Sequence, residues 1–118
     1  MYERGEFRSA VINSSAALEV AVENKIIEKM KTDGLADQDI IAYLDTTKMD
    51  FPQRCDRQLR DKAGRSLVRD NLVLWVEIKS HRKKFRHKIA HSYLVPEKVE
   101  TEKAINDFES AINWVESL

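Results

Sequence analysis

Residues 66–78 read SLVRDNLVLWVEI, and they decide the fold class, because Leu72 to Ile78 is the most strand-like run in the chain. A short unbroken apolar run fits a buried strand and a buried helix equally well. Composition weighs on the helical side. With only 3 Gly and 2 Pro in 118 residues, the chain lacks the turns that an all-β fold needs. Ser66 stands where an N-cap belongs, ahead of Leu67, Val68, Leu72, Trp75, Val76 and Ile78. From Lys79 the chain turns polar, and apolar anchors persist only at Phe85 and Ile89.

Working outward, the upstream segment 50–64 has a helix start at Asp50-Phe51-Pro52, since proline is tolerated in a first turn. Phe51, Cys55 and Leu59 form one i, i+4 stripe, and Gly64 is the expected stop. A shorter helix over 37–47 is expected to start at Asp37, a good N-cap, and to turn Ile40, Ile41 and Leu44 to the core. Residues 6–32 carry Phe7, Val11, Ser15, Leu18, Val22 and Ile26 at three- or four-residue steps, ended by Gly34. Ser14, Ser15, Ala16 and Ala17 leave room there for a neighbouring helix. Downstream, Pro96 marks a connection, and Thr101 is the expected cap of a last helix built on Ile105, Phe108, Ile112 and Val115. The simplest architecture is one all-α domain over 1–118, an antiparallel up-and-down bundle of four main helices plus a short extra helix.

The formal charge is zero, from 20 basic and 20 acidic side chains, yet the charges are partitioned along the chain. Residues 1–50 hold 6 basic and 10 acidic side chains, residues 51–96 hold 12 and 4, and residues 97–118 hold 2 and 6. A basic middle of this kind creates a local positive surface on a neutral molecule. The single Cys55 allows no internal disulfide, and no Cys/His spacing builds a zinc site. No run approaches the roughly 18 apolar residues of a membrane span, and the start MYERGEFRS lacks the apolar stretch of a signal peptide. The expectation is a cytoplasmic protein without a membrane partner.

Chemistry concentrates in residues 79–93, KSHRKKFRHKIAHSY. Residues 79–88 carry Lys79, Arg82, Lys83, Lys84, Arg86 and Lys88 with no acid, and His81, His87 and His91 are the three histidines of the chain. Six like charges this close repel one another unless an anion arrives. Histidine with an ordinary pKa near 6.5 can take a proton from a ribose 2′-hydroxyl or return one to a leaving 5′-oxygen. A guanidinium fork can hold the charge that builds on the phosphate oxygens. The same residues also read as a solvated helix end carrying histidines by chance.

Arg86-His87-Lys88-Ile89-Ala90-His91 resembles the signature of HEPN domains (higher eukaryotes and prokaryotes nucleotide-binding): Arg, a polar residue, three variable residues, then His. Trp75 with the apolar run before the motif, the Ile-Ala pair before His91, and RSAVINSSAALE in a first helix resemble the same family, so the likeness spans most of the chain. The resemblance implies an all-α bundle that dimerises and acts as a metal-independent RNase, with motif residues of two subunits converging. His91 would be the acid/base and Arg86 the phosphate-binding, transition-state-stabilising residue, with no metal and no cofactor. His87 stands where asparagine is commonest, which weakens its orienting role and adds a second titrating group. On an ideal helix Arg86 and His91 lie roughly 140° apart, a separation that a site shared between two copies relieves. Lys79, Arg82, Lys83, Lys84 and Lys88 are the expected RNA-binding residues. His91-Ser92-Tyr93 extends the likeness to HEPN toxins paired with minimal nucleotidyltransferase antitoxins, in which the antitoxin adenylylates the equivalent of Tyr93; otherwise Tyr93 is a loop residue packed on the bundle end.

The other candidates weigh less. Trp75 and Trp114 sit at helical spacing among apolar residues, which favours core or dimer interface over base stacking. Glu19 reads either as a group that orients Arg86 or a histidine across the bundle, or as part of a solvated face. Cys55 is expected to be a quiet core residue. The basic cluster at 54–65, interleaved with Asp56 and Asp61, is a charged helix face that extends an RNA surface. Two functions stand at this point. One is an endoribonuclease of a toxin or defence system, leaving a 2′,3′-cyclic phosphate and a 5′-hydroxyl. The other is a non-catalytic HEPN module that binds nucleotide or RNA, or only dimerises.

Overall fold

The first helix sets the dimensions of the molecule. α1 (Arg4–Thr32) has 29 residues, and at about 1.5 Å per residue it extends for most of the 47 Å long axis. The structure is a computed structural model that describes residues 4–46, 49–90 and 98–118, with side chains over 9–45, 49–84 and 99–118. α1 is followed by α2 (Asp37–Thr46), then α3 (Phe51–Gln53), a π-helical turn (Arg54–Gln58) and α4 (Leu59–Ala63), which run on as one rod. α5 (Leu67–Asp70), α6 (Leu72–Ala90) and α7 (Lys98–Glu116) complete the chain. The described residues are helical with no strand, so Leu72 to Ile78 resolves as helix. Among them, no helix is long and apolar enough to cross a membrane.

Local chemistry accounts for the breaks. Gly34 (φ +88°) and Gly64 (φ +82°) take the left-handed conformation that L side chains avoid, and each closes the helix before it. Leu35 N–H bonds to Met30 O at 3.1 Å, which fastens the end of α1. At the start of the α3 rod, Asp50 and Gln53 form a reciprocal capping box, with Pro52 in the first turn. The side chain of Ser66 caps α5 by accepting from Arg69 N–H at 3.1 Å, and its hydroxyl donates to Asp56 Oδ1 at 2.7 Å. That second bond is the largest of the influences that hold the Asp56 carboxyl below the usual carboxylate range. Ser66→Ala removes the cap and this bond together. It is expected to cost about 1–2 kcal/mol, read as a lower urea midpoint with an unchanged m-value.

The core is one cluster. Val11, Leu18, Val22, Ile26 and Met30 of α1 meet Ala104, Phe108, Ala111 and Val115 of α7, with Cys55, Leu59, Leu67, Trp75 and Ile78 from the middle of the chain. Lys25 and Lys29, one turn apart on α1, donate to the main-chain oxygens of Glu116, the last residue of α7, and of Leu118 just beyond it. These bonds satisfy carbonyls that a helix end leaves unpaired. They also place the C-terminal ends of α1 and α7 side by side, so the two helices run parallel. α6 and α7 run antiparallel, as the pairs Lys84–Glu100 and Glu77–Lys103 require.

Three expectations need correction. Ile41 faces solvent at 59% exposure, because the inward side of this short helix is taken by Ile40, with Tyr43 and Leu44 partly buried beside it. Ala36, not Asp37, accepts the first backbone bonds of α2. Thr101 is fully buried inside α7, which already begins at Lys98, so it is not the residue that starts this helix.

Candidate functional site

α6 presents its basic residues on two faces. Lys79, Arg82 and Lys83 line a cleft of about 360 Å³ whose other wall is Asp50, Phe51 and Pro52, with Trp75 at its side. The capping box and Pro52 build that wall by starting a helix directly opposite α6. Arg82 Nη1 donates to Glu19 Oε1 at 2.8 Å and to Ser15 Oγ at 3.4 Å, while its guanidinium lies 4.1 Å from the centre of the Phe51 ring. Glu19 thus does reach across to α6, where it meets Arg82. Lys79 and Lys83 are exposed, and no ion pair engages either among the described residues.

The other face of α6 meets α7. His81 is buried, with Nε2 2.6 Å from Asp107 Oδ2, a contact that requires the ring proton on Nε2. Its ring packs 6.1 Å from that of Phe108. Lys103 Nζ bridges Asp107 at 2.8 Å and Glu77 at 2.9 Å. Glu77, His81 and Asp107 offer ligand atoms within 4.8 Å of one another, and the ammonium of Lys103 already supplies positive charge between the two carboxylates. Lys84 pairs with Glu100 at 2.8 Å. Of the expected RNA-binding residues, Lys79, Arg82 and Lys83 are therefore brought together in the cleft, whereas Lys84 turns toward α7.

Burial, the largest influence on Asp107, pushes its carboxyl up, but hydrogen bonds from Lys103 and His81 and their charges outweigh burial and leave it below the usual range. A depressed carboxylate contributes stability above its unfolded value, about 3.9, and that contribution is lost as pH falls through the folded value. Asp107→Asn is expected to lower the melting temperature at pH 7. The difference from wild type shrinks once pH drops below about 4, as pH-dependent thermal melts will check.

The cleft continues away from α6. A depression of about 370 Å³ is lined by Pro52, Gln53, Asp56, Arg57, Val68, Trp75 and Lys79, and another of about 380 Å³ by Asp56, Arg57, Arg60, Asp61 and Arg69. Shared residues join all three into one groove. Along the π-turn Cys55 and Gln58 are fully buried while Arg57 stays exposed. Burial pushes the Cys55 thiol up to about 12, so at neutral pH it remains a protonated core residue.

Arg86, His87 and Lys88 belong to the helical backbone of α6, and their side chains lie outside the described residues, as do His91 and Tyr93 altogether. By helical register, position 86 falls on the same face as Lys79 and Arg82, one turn further on. Trp75 is 6% exposed and Trp114 half-buried; the Trp75 ring lies 6.2 Å from that of Phe51. Sequence reasoning did not find Phe51 and Pro52 as a cleft wall. Nothing local marks a cation–aromatic pair between residues so far apart in the chain. Comparison with protein-family models, curated proteins and solved structures finds no match.

Proposed function

We propose that this chain is a HEPN-type, metal-independent endoribonuclease of a toxin or defence system in the cytoplasm, cleaving RNA with Arg86 and His91 at a homodimer interface. One observation carries the reading. The α6 face that bears Lys79, Arg82 and Lys83 lines a cleft, and the register of the same helix continues that face to Arg86. In this reading the long helices α1, α6 and α7 and the α3–α4 rod are the four main legs of the bundle, with α2 as the short extra helix. The parallel run of α1 and α7 departs from strict up-and-down alternation of those legs and leaves the cleft face of α6 open.

RNA approaches the basic groove and is held through its phosphates, with Lys84 and Lys88 adding charge at the flank and His87 available as a second titrating group. His91 takes the proton of the ribose 2′-hydroxyl, the 2′-oxygen attacks phosphorus, and the bond to the 5′-oxygen breaks. The 5′-oxygen leaves as a hydroxyl after accepting a proton from the now protonated His91, and a 2′,3′-cyclic phosphate remains. Arg86 holds the non-bridging oxygens, whose negative charge grows along this path.

A second copy has a surface to meet. Leu72, Val73 and Val76 are 57%, 83% and 54% exposed on one side of α6, beside the cleft. Exposed apolar side chains grouped on one helix face are typical of association surfaces. Tyr93, next to His91 in sequence, is the residue that a nucleotidyltransferase antitoxin would adenylylate to silence the enzyme. The test is incubation of purified protein with RNA in EDTA beside Arg86→Ala and His91→Ala. Cleavage by wild type alone supports the proposal, and binding without cleavage by any form supports a non-catalytic RNA-binding module instead.

A further inference from the structure

We infer that the RNA surface does not end on α6 but continues as a track for single-stranded RNA over Arg57 and Arg60 of the α3–α4 rod. This inference rests on the RNA-binding reading above. The structure sorts the cations of this region by whether a carboxylate already engages them. Arg82 is engaged by Glu19, Lys84 by Glu100, Arg69 by Asp56 and Lys62 by Asp61, with Lys62 also over the Tyr43 ring. A phosphate reaching any of these must compete with an acid in place. Lys79, Lys83, Arg57 and Arg60 are exposed, and among the described residues no ion pair or hydrogen bond engages them.

Those four open cations line the three connected depressions in order: Lys83 and Lys79 at the first, Lys79 and Arg57 at the second, Arg57 and Arg60 at the third. The acids along the way are answered within the protein. Asp50 accepts from Gln53 N–H, Asp56 accepts from Ser66 and Arg69, and Asp61 pairs with Lys62 at 3.5 Å; the Arg60 charge also acts on Asp56, but as the last-ranked influence on that carboxyl and without a direct ion pair. Each depression, at about 360–380 Å³, is at the small end of ligand pockets and matches one nucleotide rather than the width of a duplex. An unpaired strand can follow such a path, with its phosphates on the open cations and its sugars and bases over Pro52 and Val68.

The experiment measures fluorescence anisotropy of 4- and 12-nucleotide single-stranded 2′-O-methyl RNA, which lacks the attacking hydroxyl, across a series of salt concentrations. R57A/R60A is expected to weaken the 12-mer about tenfold and the 4-mer less than twofold. The salt slope for the 12-mer falls by about 1.4, at about 0.7 per lost phosphate contact on a single strand. R57K/R60K, which keeps both charges, recovers most of the loss, and matching thermal melts show that the fold is intact. K79A/K83A weakens both oligonucleotides. If R57A/R60A binds the 12-mer as wild type does, or weakens both lengths equally, the track is overturned while RNA binding on α6 stands. A 12-base-pair duplex bound as tightly as the single strand overturns the single-strand assignment. If wild type binds neither oligonucleotide, the RNA reading itself fails.

Discussion

His91→Ala is expected to reduce RNA cleavage in EDTA by about 10³-fold or more, with RNA affinity changed less than threefold. General acid–base catalysis contributes about 10²–10⁴ in rate, and the upper part of that range applies where one residue type both removes and returns the proton. Arg86→Ala is expected to lose about 10²–10³, the cost of removing one preorganised donor to developing charge. The arginine also carries a full positive charge, so its loss weakens binding and lowers the salt slope by about 0.7, whereas His91→Ala leaves the slope unchanged. Single-turnover cleavage with a parallel binding titration separates the two roles. Undiminished cleavage by His91→Ala removes the proposed chemistry.

On the proposed homodimer, Val73→Arg is expected to give a monomer and to abolish cleavage with it. Val73 is 83% exposed, so arginine is tolerated in the single chain, but in a two-fold interface it sets two like charges against apolar surface. Burying an unpaired charge costs several kcal/mol, more than a modest interface can offset. The added charge is positive by design, so any loss of activity cannot come from weaker attraction to RNA. Sedimentation velocity gives the oligomeric state and the EDTA assay gives the activity. An active monomer refutes the shared site, whose geometric motive is the roughly 140° between Arg86 and His91 on an ideal helix.

Where a helix begins or ends was legible at four places where one residue carried the signal. Asp50 with Pro52, Ser66, Gly34 and Gly64 act at the expected positions, because a cap or a left-handed turn needs only its own backbone neighbours. Thr101 misled because a capping side chain and a small buried one look alike in sequence. Ile41 misled because periodicity shows that a stripe exists without showing how wide a neighbour covers it. The two faces of the α6 basic run were not legible either. Lys79 to Lys88 reads as one block of charge, yet Arg82 answers to Glu19 on α1 and Lys84 to Glu100 on α7.

Sequence by itself determined that the chain is helical, where most of its helices break, that Cys55 is inert core, and that positive charge is concentrated between acidic flanks. Each of these follows from local propensity, capping or composition, which act over a few residues. Tertiary structure alone decided which of the cations are open. Pairing depends on carboxylates that approach from other helices, and the groove from Lys83 to Arg60 exists only because the α3–α4 rod lies against α6. The zero net charge is a sum over the whole chain, and the surface is basic where the packing leaves a cation without an acid.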